Sequence, residues 1–171
     1  MSKQRKDLVI LGIDPGTATT GWGVIREKKG DCEVVAYGAI ETSKNKKNVD
    51  RLKEIANDLE ILIARYKPDE AGIEDLFFCN NATTAIKVAQ ARGVMLLVCG
   101  RAKLPIGEYT PLQVKQSLTG YGKADKQQVQ HMVKEFLKLK KIPRPDDAAD
   151  ALAVAICHQS SRRIKDLRQI S

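Results

Sequence analysis

Asp14, Glu74, Asp147 and Asp150 are the residues whose types and settings point to chemistry. Asp14 follows Leu8–Ile13, an apolar run too short for a helix and typical of a buried strand. Pro15 and Gly16 then turn the chain. An acid at the tip of a core strand is rigidly held yet faces open space, which suits a metal or phosphate site. An Asp before Pro-Gly also caps turns, so Asp14 alone leaves both uses open. Glu74 ends a short strand, EAGIE, from Glu70. Side chains alternate along a strand, so Glu74 and Asp75 face opposite ways and only one can join a site at the sheet; we take Glu74. Asp147 and Asp150 are three positions apart and share a helix face. Asp146 and Asp147 could serve the helix start through its dipole. That use does not account for Asp150, which precedes the apolar run Ala151–Ile156. A lone charge on so buried a helix is expensive unless a partner neutralises it. The alanines of this helix let it approach the sheet closely, bringing both aspartates near the strand tips.

Acids without neighbouring His or Cys ligands suit a hard cation, Mg²⁺ or Mn²⁺. Such a set can hold two ions, one to activate water and one to stabilise the leaving oxygen of a phosphodiester. The charge balance agrees: 29 Lys and Arg against 21 Asp and Glu give a net charge of +8. That excess would hold a polyanionic substrate over the acids. Cys32, Cys79, Cys99 and Cys157 lie far apart with no CxxC pair, which speaks against a zinc site. No apolar run approaches a membrane-spanning length, and the start lacks a secretory pattern, so a cytoplasmic protein with reduced thiols and no membrane partner is expected.

The elements that must position these acids follow in order. Leu8–Ile13, Trp22–Ile25 and Glu33–Glu41 read as three successive antiparallel strands, with a turn at Lys29-Gly30-Asp31. Asn48–Tyr66 carries one apolar stripe at helical spacing, with Asn48 or Asp50 as cap and Pro68 after its end. The strand ending in Glu74 comes next, then a long helix capped by Asn80 or Asn81 and running to about Cys99. A fifth strand spans Leu104–Tyr109. Pro111 opens a short helix, Asp125 caps another, and the last helix covers Asp146–Ser160. The result is an α/β fold: a mixed five-stranded sheet flanked by helices. One domain, residues 1–160, is expected, followed by a basic tail, 161–171. The long helix from Asn81 is a candidate dimer interface because its apolar residues exceed one stripe, although core packing would use them too.

The segments LGIDPGTATTGWGVI, GIEDLFF, QARGV, QVKQSLTGYGKADKQQVQHMV and PDDAADALAVAICH resemble, in this order, the RuvC family of bacterial Holliday-junction resolvases. The resemblance runs from Leu8 to about His158. It implies a ribonuclease-H-like fold and a homodimer that cuts two symmetric strands of a four-way DNA junction. The nicks would carry 5′-phosphate and 3′-hydroxyl ends. It implies catalytic and metal-holding roles for Asp14, Glu74, Asp147 and Asp150. It also implies base stacking by Phe77, phosphate contacts by Lys115 and Lys126, and the branch-migration proteins RuvA and RuvB as partners. Two other readings remain at this stage. GIDPGTATTG is similar to the phosphate-binding first hairpin of sugar-kinase and actin-like ATPases, but those need two lobes around the nucleotide. A junction- or RNA-binding scaffold without catalysis would not need four acids.

Overall fold

Asp14 and Glu74 end up side by side because their two strands run parallel through the centre of one sheet. The computed structural model describes residues 7–76 and 82–168. Strands β1 (Leu8–Asp14), β2 (Thr19–Lys28) and β3 (Asp31–Glu41) form an antiparallel meander. Helix α1 (Asn48–Tyr66) carries the chain to β4 (Glu70–Glu74), which lies parallel to β1. Helix α2 (Ala82–Arg101) then leads to β5 (Ile106–Tyr109), parallel to β4. The sheet order is β3-β2-β1-β4-β5. Helices α3 (Pro111–Thr119), α4 (Lys126–Phe136) and α5 (Asp146–Arg168) complete the described chain.

The alternation of β1 sorts two apolar layers. Leu11 and Ile13 pack under α1 and α2 with Ile55, Leu59, Met95 and Val98. Ile10 faces the other way, into a layer with Leu152, Ile156, Val114 and Val133. Ala148, Ala149 and every residue from Ala151 to Gln159 are buried. Helix α5 is therefore the central helix, lying against β1, β2 and β4 on one side and α3 and α4 on the other.

Several elements differ at their ends from the sequence expectation. β2 is longer because antiparallel pairing with β3 carries through its polar residues to the turn, where Lys29 and Gly30 take positive φ. β5 begins at Ile106 rather than Leu104. The residue flanking the start of α1 is Lys47, with no capping side chain, so neither Asn48 nor Asp50 serves as the cap. Asp125 does cap α4, accepting from the Gln128 amide in a reciprocal box, and Thr110 does the same for α3 through Gln113. Helix α5 runs past Ser160 to Arg168, because neither Gly nor Pro interrupts it. Arg162 of that extension donates to Glu70 at 2.9 Å. Asn80 and Asn81, the expected cap of α2, lie outside the described residues. Helix α2 is long and apolar enough in composition to cross a membrane. Its buried Ala91, Met95, Val98 and Cys99 dock it on the sheet instead.

Candidate active site

Register brings the first two acids together. Ile13 pairs with Ile73 across the parallel β1–β4 ladder, so Asp14 and Glu74 occupy neighbouring strand ends. Both project to the α5 side, two positions beyond Gly12 and Gly72, whose Cα atoms face α5. Asp75 points away and forms an ion pair with Arg92 of α2 at 3.3 Å. Glu74, and not Asp75, therefore shares the α5 side of the sheet with Asp14.

Close helix–sheet contact brings the other two. A Cβ on Gly12 would stand 2.1 Å from the Ala151 carbonyl oxygen and 2.7 Å from the Ala155 amide nitrogen. A Cβ on Gly21 would stand 1.9 Å from the carbonyl oxygen of Asp147. Gly21 is the ladder partner of Asp14, so the backbone of Asp147 rides directly over the strand beside Asp14. At Gly12 and Gly21 the backbone of α5, at Ala151, Ala155 and Asp147, comes directly against the strands with no side chain between.

The electrostatics record the crowding. Burial raises the Asp14 carboxyl to about 8, with further pushes from Glu74, Asp150 and Asp147. Burial and Asp150 raise Glu74 to about 7, against the opposing pull of its hydrogen bond to Asp14 and of Lys115 and Lys126. Without a cation, Asp14 keeps its proton at neutral pH and donates it to Glu74; the two titrate as a pair. Burial also raises Asp150, whose carboxylate is 3.1 Å from the Lys126 ammonium. Lys126 itself loses by burial but is raised overall by Asp150, Asp146 and Asp147, and it stands 3.6 Å from Asp146. Glu74, Lys115, Lys126 and Asp150 line one cleft of about 230 Å³ together with Pro111, Val114, Val129 and Ala153. Phe77 lies outside the described residues.

Oxygen-only donors carrying excess negative charge fit a hard divalent cation. Among the described residues, no three acidic, His or Cys side chains yet stand close enough to form a finished ion cage.

Arg92 is the residue that sequence reasoning missed. It donates to the backbone carbonyl of Glu74 at 3.1 Å and also pairs with Glu108. Its side chain is only 12% exposed. An arginine inside the apolar stretch AQARGVMLL was the available signal. It locks the tip of β4 from beneath.

The family model for crossover junction endodeoxyribonuclease RuvC matches residues 10–158. This chain belongs to the RuvC family. Crossover junction endodeoxyribonuclease RuvC of Syntrophomonas wolfei is 51% identical over 162 residues, covering 95% of this chain and 94% of that one. The solved Thermus thermophilus RuvC superposes with a TM-score of 0.86 at 35% identity, covering 92% of this chain and 97% of that one. Another Thermus thermophilus RuvC structure, in complex with Holliday junction substrate, gives 0.84 at 32% identity, covering 92% and 96%. The fold is accordingly the ribonuclease-H-like fold of RuvC. Membership makes the chain a metal-dependent endodeoxyribonuclease that resolves Holliday junctions in DNA recombination and repair. The ATPase and scaffold readings fall with that finding.

Proposed function

We propose that the RuvC reaction of this chain is carried by Asp14, Glu74, Asp147 and Asp150. The supporting observation is the meeting of two strand tips and one helix start over the Gly21 contact. Magnesium ions held by these carboxylates, two per subunit with manganese as a substitute, supply the Lewis acidity that phosphodiester hydrolysis needs. The chain's own residues do the rest. The rigid ends of β1 and β4 fix where the scissile phosphate lies. Lys126 neutralises Asp150, and Lys115 favours the ionised form of Glu74. Both lysines line the cleft beside the acids and are placed to hold the DNA backbone. Phe77, three positions beyond Glu74, stacks on a base at the opened junction centre.

The functional unit is a homodimer, since a junction of near two-fold symmetry needs two equivalent cuts. Its surface is the outer face of α2, where Ile86 is 60% exposed and Leu97 53% exposed. RuvA and RuvB are the branch-migration partners, and the protein works in the cytoplasm on chromosomal DNA. Residues up to about 160 form the nuclease domain. The deciding experiment is nicking of an immobile four-way junction, with and without Mg²⁺. Metal-dependent paired nicks with ligatable ends are expected from the parent chain and none from Asp14→Asn. Normal cutting by that variant would overturn the site.

A further inference from the structure

Next to the other acids, with Asp147 on its wall, lies a second hollow of about 400 Å³. Its walls are the β1–β2 turn from Gly16 to Thr19, Arg51 of α1, and Thr84, Lys87 and Val88 of α2. The turn is built with unusual care for a surface loop. Thr20 donates to the Gly16 carbonyl at 2.7 Å, and Thr42 donates to the Thr17 carbonyl at 2.6 Å. Arg51 in turn donates through Nε to the Thr42 hydroxyl at 2.8 Å. One edge of its guanidinium is thereby fixed. Neither Arg51 nor Lys87 has an acidic side chain in ion-pair contact among the described residues. Thr17 lines the hollow at 7% exposure, its carbonyl held by Thr42.

We propose that this hollow is a second phosphate subsite, which seats a DNA backbone phosphate adjacent to the scissile one on the cut strand. Two cations without an acidic partner among the described residues, one of them held in place by Thr42, match a phosphodiester anion. The position specifies which anion. Asp147 stands on the wall of this hollow, and Asp150, one turn along α5, stands on the wall of the Lys115–Lys126 cleft. The two recesses flank the acidic end of α5. A strand whose scissile phosphate lies over the acids must continue on both sides, and this hollow receives one of them. The inference rests on the carboxylate reading above and adds Lys87 and Arg51 as positioning residues.

The test uses the full chain and synthetic four-way junctions that carry one uncharged methylphosphonate at successive positions flanking the cut. Single-turnover cutting with Mg²⁺ is the readout. For the parent chain, neutralising one flanking phosphate should slow cutting by roughly tenfold or more, the scale of one charge-assisted hydrogen bond. Lys87→Gln, at an exposed position that tolerates substitution, should slow cutting of the unmodified junction by a similar factor. That variant should then be indifferent to the methylphosphonate at that position while staying sensitive elsewhere. Arg51→Lys should show a weaker version of the same pattern. Lys103→Gln, at the opposite end of the sheet, should behave as the parent. If the Lys87→Gln loss multiplies with every methylphosphonate alike, or is absent, the subsite is overturned. If inorganic phosphate raises the melting temperature of the parent but not of Lys87→Gln while the methylphosphonate scan is flat, the hollow takes a free anion and the proposal is also overturned. Failure of the carboxylate reading would look different, because Asp14→Asn would then cut normally.

Discussion

Asp14 is the residue on which charge and function conflict most sharply. Its carboxyl is raised to about 8 and that of Glu74 to about 7, both chiefly by burial. In an unfolded chain both groups titrate near pH 4. The folded, metal-free protein therefore binds more protons than the unfolded chain between about pH 4 and pH 8. Its stability from these groups is full below the unfolded values and is lost as pH rises through 7 and 8. The melting temperature of metal-free protein should fall by on the order of 10 °C between pH 5.5 and pH 8.5, taking 1 kcal/mol as about 2–4 °C at this size. Mg²⁺ should restore more at pH 8.5 than at pH 5.5. Asn in place of Asp14 removes one of the charges, so Asp14→Asn should melt above the parent at pH 8.5 without metal, yet give no detectable nicks. A metal-free melting curve indifferent to pH would sink this account of the pair. Arg92 acts on the same site from the opposite face. Arg92→Ala should cost about 1.5–3 kcal/mol in urea unfolding, because Glu74's carbonyl, Asp75 and Glu108 lose one shared charged donor. Cutting should fall while junction binding holds.

The first turns of helix α5 reach the sheet because Gly12 and Gly21 leave room for their backbone, and this can be tested by adding a single methyl group. Gly21→Ala would place a Cβ 1.9 Å from the Asp147 carbonyl oxygen, a backbone atom that cannot rotate away. The first turn of α5 must lift, carrying Asp147 with it. Overpacking of this kind costs about 1–3 kcal/mol, so the melting temperature should drop and cutting should fall further than the loss of folded protein explains. A variant with parental cutting and melting would show that α5 does not set the position of Asp147. The alanine half of this contact was legible in the sequence, since PDDAADALAVAICH leaves small residues at Ala151 and Ala155. The glycine half was not, because Gly12 and Gly21 sit in strands and glycine read locally signals only a turn or a weak strand. The span of α1 was readable from its apolar stripe and Pro68, which are local signals. Lys47 in place of Asn48 or Asp50 at its start was not readable, because a helix held by tertiary packing can do without a side-chain cap. Arg92 escaped for a similar reason: its partners come from β4 and β5, and no local pattern pairs them.

At the scale of the molecule, the outer face of α2 is the feature that a monomer leaves unexplained. Ala82, Ile86, Ala89, Gly93, Leu97 and Gly100 recur three or four positions apart and all are exposed. A Cβ added at Gly93 or Gly100 would meet nothing within 4 Å, so the middle and end of the stripe lie open to a close approach. Small residues flanked by Ile86 and Leu97 form a surface that can pack against its own copy across a two-fold axis. Leu97→Glu places a charge at the centre of that contact, which the partner's Glu would oppose. Light scattering should give the parent a mass near twice 18.9 kDa and the variant a mass near 18.9 kDa. The carboxylate end of the sheet is built within one chain and should survive, so the variant should retain its fold by circular dichroism. Its products on a four-way junction should change from paired nicks to isolated single nicks, because nothing then holds a second active centre on the opposite strand. A Leu97→Glu protein that keeps the doubled mass and still cuts in pairs would move the dimer contact away from α2 and leave its apolar stripe to another partner.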